Sequence, residues 1–529
     1  MDLVLYNARF PLLKDNSPSM TAVAIAGDRI IELGDSAELR RQYNNARQQD
    51  MQGRLILPGL TDAHMHFAQY ARNLDIVDCE TATLQECLER VEQGSRITPT
   101  GQWILGHGWN QNRWQEGFGN AEMLDRVAPG HPVYLSAKSL HAGWANNLAL
   151  KLAGIDLHTP DPPNGRINHD AQGQPDGILL EDAVLLVTRI IPEENLEGLV
   201  SRLKNAQLTL WKMGLTGIHD FDGPDCFAAL QILCERDQLH LRVVKSIPQV
   251  NLEHAITLGL RSGFGDDLLQ IGSLKLFADG ALGPHTAAMH EPFIDDTRNY
   301  GILAMDKEQL FENGCRAVEN GISLAVHAIG DRANHEVLDG FVQLREHEKL
   351  KNLPNYRHRV EHVQLLLSED ESRLAELNLI ASMQPIHATS DMEMAERSWG
   401  SRNRHAYAWK TQLSQGARLA FGSDAPVEDP NPFKGIHAAV TRRRADGSPG
   451  ENGWYPEQRL SLVEALNGFT QGPAYAAGME DRLGKLGSGY LADLIVLGQD
   501  PFDCPSSDLA ALKPLATMVG GKWVWEDWN

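Results

Sequence analysis

Leu57-Pro58-Gly59-Leu60-Thr61-Asp62-Ala63-His64-Met65-His66 is the stretch on which the fold turns. An apolar run leads into it, and it ends on two histidines separated by one residue. In a strand, residues i and i+2 point to the same side. His64 and His66 therefore project together from the strand's C-terminal end. Two neutral imidazoles so placed can hold one divalent ion. An H-x-H triplet also arises by chance, and its place at the end of an apolar strand is what gives it weight.

Three further apolar runs end on chemistry. Ser323-Leu324-Ala325-Val326 leads into His327, Arg359-Val360-Glu361 into His362, and Leu419-Ala420-Phe421-Gly422-Ser423 into Asp424. A lone histidine is usually a satisfied core or surface residue. Several at successive strand ends fit a barrel enzyme, whose catalytic groups sit at the C-terminal ends of its strands. Strand-like runs alternate with helical stretches, the βα signature of a parallel sheet. Eight strands are predicted: Leu55 to His66, Thr216 to Phe221, Leu241 to Ile247, Ile271 to Asp279, Ile322 to His327, Arg357 to His362, Ile380 to Pro385 and Arg418 to Asp424. The expected fold class is α/β, a (β/α)8 TIM barrel.

The fourth run carries a lysine: Ser273-Leu274-Lys275-Leu276-Phe277-Ala278-Asp279-Gly280. Lysine within an apolar strand is costly unless it snorkels or has a task. Desolvation depresses its pKa, and a neutral amine reacts with carbon dioxide. The resulting carbamate is an anion with two oxygens, suited to bridging two metal ions. A cationic lysine could not be a ligand.

The chain ends differ in texture from the middle. Leu3-Val4-Leu5-Tyr6, Ala22-Val23-Ala24-Ile25 and a hairpin at Gly27-Asp28 open the chain; Ala492 to Leu497 and Gly520-Gly521 with Lys522 to Trp525 close it. Both ends are expected to pair into one small β-sandwich-like domain, residues 1–57 plus 478–529, around a barrel spanning 58–477. A long insertion at about 67–215, with strands near Trp103-Ile104-Leu105 and Val133-Tyr134-Leu135, follows the first barrel strand. It is expected over the active face, forming part of the substrate pocket.

With 48 Lys and Arg against 70 Asp and Glu, the net charge of −22 argues against a nucleic-acid partner. The short basic run Arg442-Arg443-Arg444 reads as a solvated loop. Six cysteines without a C-x-x-C pair read as free, mostly buried thiols. Met1-Asp2-Leu3-Val4-Leu5-Tyr6 lacks a basic start, and no run approaches ~18 apolar residues. A cytoplasmic enzyme with no membrane partner is expected; a homodimer stays open.

His64-x-His66, Lys275, His327, His362 and Asp424, in that order, resemble the ligand pattern of binuclear amidohydrolases. The stretches Leu57 to His66, Lys275 to Gly283, His327 to Ala333, Ser382 to Pro385 and Gly422 to Val427 are similar to the YtcJ-like branch, which includes N-substituted formamide deformylases. So are His141 to Asn147 in the insertion and Gly489 to Leu497 in the tail. One departure stands out. After Gly283, similar proteins usually carry Ser-Arg-Thr, where this chain has Pro284-His285-Thr286.

The resemblance implies a hydrolase cleaving a C–N bond of amide type in a small molecule. It implies two divalent metals bridged by carboxylated Lys275, which activate a water. His-rich ligation favours zinc, with iron, manganese and cobalt open. Asp424, besides binding metal, would shuttle the proton to the leaving amine. Trp109, His141 and Gln384 are the candidate substrate contacts. Trp103, Trp109, Trp114 and Trp144 hint at an apolar group beside the scissile bond. A deaminase on the same fold, a lactonase or phosphotriesterase, and a non-catalytic regulator are alternatives. Lys275 argues against the first, and the intact ligand set argues against the last.

Overall fold

The computed structural model describes residues 1–11, 20–111, 114–137, 142–163, 165–192 and 195–528. Its centre is an eight-stranded parallel sheet in sequence order: Leu60–Met65, Leu215–Asp220, Arg242–Pro248, Leu269–Phe277, Leu324–Ala328, Arg359–His362, Ile380–Met383 and Arg418–Phe421. The strands are almost wholly buried, as expected of a parallel sheet covered on both faces. First and eighth strands meet at their C-terminal ends. There the Asp424 N–H donates to the His64 carbonyl at 2.7 Å and the His66 N–H to the Ala425 carbonyl at 2.8 Å. The sheet is thus drawn into a barrel, with candidate ligands on both sides of the seam.

Every expected strand is present, but one boundary moves. Leu55–Pro58 leaves the barrel and pairs antiparallel with Leu494–Leu497. Pro58-Gly59 is where the chain changes sheets. The Gly59 N–H donates to the Asp493 carbonyl at 2.9 Å. A Cβ at Gly59 would lie 2.3 Å from Thr216 Oγ1, so only glycine fits the crossing.

The chain ends build two four-stranded sheets. Leu3–Tyr6 lies between Ala22–Ala26 and Arg47–Asp50, and Arg29–Gly34 completes the first. Leu55–Pro58, Leu494–Leu497, Pro514–Val519 and Lys522–Glu526 form the second. One core serves both: Leu5, Val23 and Ile25 pack with Ile56, Leu494 and Met518. The turn at Gly27-Asp28 joins a hairpin as expected, with Gly27 at φ 58°.

Arg242, opening the third barrel strand, ties the barrel to the C-terminal sheet. Its Nε and Nη2 donate to Asp493 Oδ2 and Oδ1 at 2.5 and 2.7 Å, and both side chains are buried. Arg242→Ala would leave a carboxylate buried without its partner. We expect a loss of about 3–5 kcal/mol. Urea unfolding should show a lower midpoint with an unchanged slope; a midpoint equal to wild type would contradict this.

Gln69–Arg202 forms a second compact unit. Its six-stranded sheet contains Ile104–Trp109 and Val133–Ala137, the two strands expected there. Trp109, Trp114 and Trp144 pack on one another with ring centroids 6.2–6.3 Å apart. Trp103 packs against a neighbouring cluster that includes Tyr134 and Leu179. The four tryptophans that hinted at an apolar substrate are packing residues of this unit.

The basic run also departs from expectation. Arg442 is 0% exposed, not solvated. Its guanidinium lies 4.3 Å from the Trp409 ring and 4.9 Å from that of Trp454, and its Nη1 donates to the Tyr407 carbonyl at 2.9 Å. Cation–π contact and planar donors make that burial tolerable. The six cysteines are free, three buried and three half-buried. No described helix is long and apolar enough to cross a membrane.

Candidate metal centre

The strand ends bring all six candidate ligands together. Asp424 Oδ1 lies 3.4 Å from His64 Nε2 and 3.5 Å from His66 Nε2. Lys275 Nζ lies 3.5 Å from His64 Nε2. Donor atoms of His64, His362 and Asp424 all fall within 4.8 Å of one another. The His362 ring centre is 4.9 Å from that of His64 and 4.5 Å from that of His327. His362 and Asp424 hold φ values of 74° and 61°. Non-glycine residues there store of order 1–3 kcal/mol of strain each, which clusters at functional sites.

Each ring has one nitrogen already engaged on its far side. His64 Nδ1 is 2.6 Å from Glu361 Oε2, and His66 Nδ1 is 3.3 Å from Asp222 Oδ1. His362 Nδ1 is 2.9 Å from Gln384 Oε1, and His327 Nε2 is 2.8 Å from the Gly280 carbonyl. These oxygens accept, so the engaged nitrogen is the N–H and the other presents its lone pair. That is how metal-binding histidines are oriented.

The electrostatics agree with such a donor set. Burial brings His327 down to about 3 and holds His64 and His362 well below the usual imidazole range, so these rings are neutral. His66 is raised; burial opposes this, but the Asp222 hydrogen bond and the Asp424 charge outweigh it. Lys275, 3% exposed, is lowered to about 8. Burial is the main cause, opposed by Glu361 and Asp424 and aided by Arg359. Three neutral imidazoles, a carboxylate and a lysine brought towards neutrality fit divalent ions, whose ligands must be deprotonated.

Sequence reasoning missed the residues behind these ligands. Glu361 is held by Arg359 through Nε, and its other oxygen meets His64. Arg359 Nη2 also donates to the Ala63 carbonyl and to Ser382 Oγ, both at 2.6 Å. Asp62 accepts from the backbone N–H of His64 at 3.0 Å and of Ser423 at 3.1 Å, tying the two sides of the seam. Asp279 accepts the N–H groups of Ala288, Ile329 and Gly330 at 2.8–3.0 Å, anchoring the loop after His327. The signal was available. Each is an acid in or at the end of an apolar strand, the same cost that singled out Lys275.

The expected substrate contacts fare differently. Trp109 is 1% exposed in the inserted unit's core, and its Nε1–H donates to the Leu135 carbonyl at 2.9 Å. Its place is packing, and its one polar atom is taken. Gln384 orients His362 and is buried. His141 lies outside the described residues. His285, in the stretch Pro284-His285-Thr286, stacks on Phe293 at 4.5 Å, with its Nε2 3.2 Å from Ser398 Oγ.

Comparison with known proteins agrees with this geometry. The amidohydrolase family model matches residues 47–525. The putative amidohydrolase YtcJ of Bacillus subtilis is 31% identical, over 96% of this chain and 96% of its own. N-substituted formamide deformylase of Arthrobacter pascens is 30% identical, over 98% of this chain and 97% of its own. The crystal structure of an uncharacterized metal-dependent hydrolase from Pyrococcus furiosus is 28% identical, with a TM-score of 0.77, covering 95% of this chain and 100% of that one. Fold, strand-end residues and full-length similarity lead to one conclusion: the chain belongs to the amidohydrolase family.

Proposed function

We propose that the chain is a binuclear metal-dependent hydrolase that cleaves an amide-type C–N bond in a small molecule. The observation that carries this is the convergence of His64, His66, Lys275, His327, His362 and Asp424, with each histidine oriented from behind by an acceptor. These residues would hold divalent ions, zinc by this ligand set, which when bound would supply an activated water near neutral pH and an electrophile for the substrate carbonyl. Lys275, once carboxylated, would add a second anionic ligand beside Asp424. Asp424 takes the proton of the attacking water and gives it to the leaving amine as the C–N bond breaks. Glu361 and Gln384 keep His64 and His362 in the tautomer that leaves Nε2 free.

Two features support a substrate with an apolar substituent. Phe277 ends the fourth strand 49% exposed, with its ring 5.4 Å from that of His327. The similarity to a deformylase of N-substituted formamides points to the same class.

The test is metal analysis of purified protein followed by a screen of N-formyl, N-acyl and cyclic amides. About two metals per chain and turnover of an amide are expected. Turnover confined to lactones or to aminated rings would move the activity to the esterase or deaminase alternative. His64→Ala and His66→Ala should each abolish hydrolysis and lower metal content while far-UV circular dichroism stays native. Full activity in the double variant would refute the assignment.

A further inference from the structure

A fifth histidine stands beside the centre with no assigned task. The helix Pro385–Trp399 starts directly after the seventh barrel strand, and His387 lies in its first turn. The residue is 7% exposed. Its ring is nearly parallel to that of His362, at 6° and 6.3 Å between centroids. On one edge, Nδ1 meets the side-chain amide of Gln364 at 3.4 Å. Gln364 is in turn 3.2 Å from the Tyr407 hydroxyl, which donates to Asp391 Oδ2 at 2.7 Å.

The other edge is different. His387 Nε2 is buried and has no hydrogen-bond partner, the only histidine nitrogen in that condition among the described residues. A buried polar atom left unpaired is costly, and here a chain of three side chains holds the ring in place. The ring is therefore close to that of His362. Nothing in the ligand set or its supporting shell uses Nε2.

We propose that His387 is a substrate-binding residue of this site, its Nε2 hydrogen-bonding a polar group of the substrate beside the scissile amide bond. The inference rests on the metal-hydrolase reading. It adds a fixed polar contact to a site that also presents the apolar Phe277, 49% exposed. The substrate class is then an amide with an apolar substituent on one side and a hydrogen-bonding group within reach of the seventh strand's end.

The experiment uses the full chain loaded with zinc and titrated calorimetrically with benzohydroxamate, a small amide-like chelator. Zinc content of the wild type is measured first and reports on the metal reading alone; a wild type that retains no zinc overturns both. With zinc bound, His387→Ala should keep wild-type metal content and thermal midpoint, yet bind benzohydroxamate about tenfold more weakly, the scale of one lost hydrogen bond. His387→Gln, which retains a polar side chain, should recover part of that affinity. Unchanged affinity in both variants overturns the proposal. So does loss of a metal ion from His387→Ala, which would make His387 a ligand instead.

Discussion

Lys275→Ala is expected to abolish hydrolysis and to release about one metal ion per chain. Lys275 Nζ lies 3.5 Å from His64 Nε2, 4.5 Å from the Phe221 ring centre and 5.0 Å from that of Phe277. Burial lowers it to about 8, so neutral amine is available near neutral pH. A protonated amine among metal ions would be repelled as well as desolvated. In carbamate formation the neutral amine nitrogen bonds to the carbon of carbon dioxide and gives up one proton to water, so a neutral group becomes anionic; counted from the ammonium, two protons leave. Among the six candidate ligands His64, His327 and His362 are neutral, and only Asp424 is otherwise anionic. Without the carbamate, a second metal lacks an anionic bridge from the protein and should bind weakly. Short carboxylic acids with bicarbonate should partly restore activity to Lys275→Ala. A variant with full activity and two metals would refute the role.

Asp424→Asn should lower the rate by about 10²–10⁴ while substantial metal remains, the usual contribution of a positioned acid–base group. The amide keeps an oxygen where Oδ1 now lies, 3.4 and 3.5 Å from the two ring nitrogens of His64 and His66, but it cannot accept and return a proton. Burial raises the Asp424 carboxyl; His387, His66 and Lys275 oppose that rise. The net upward shift moves it towards the proton affinity a shuttle needs at neutral pH. Its backbone position is fixed by the N–H bond to the His64 carbonyl at 2.7 Å, so asparagine should sit in the same place. An unchanged rate at full metal occupancy would show that Asp424 is only a ligand.

The barrel was legible because its strands are apolar runs that end on polar chemistry. Position along a strand places a side chain at one end of the barrel, which is why His64, His66, Lys275, His327, His362 and Asp424 could be expected near one another without coordinates. The change of sheets at Gly59 was not legible. Leu55–Pro58 and Leu60–Met65 read as one apolar run, and only the contact with Thr216, distant in sequence, separates them. The place of Trp109 in a core was not legible for a related reason, since a tryptophan in a core and one in a pocket carry the same local signal. Arg442 looked solvated because its neighbours are also basic, whereas Trp409 and Trp454 enclose it from elsewhere in the chain. Glu361, Asp62 and Asp279 were overlooked although each lies in a stretch already singled out. Their roles depend on partners across the barrel, which sequence order does not show.

The central claim is that these six side chains hold two bridged metal ions, and anomalous scattering from crystals of the zinc-loaded protein tests it most directly. The account predicts two zinc peaks roughly 3.5–4 Å apart, the spacing of two-metal hydrolytic sites, within reach of the histidine nitrogens left free by Glu361, Asp222, Gln384 and the Gly280 carbonyl. Density should continue from Lys275 Nζ to both ions. A single peak beside an unmodified, well-ordered Lys275 amine would contradict the account and move the protein towards a mononuclear, deaminase-like chemistry.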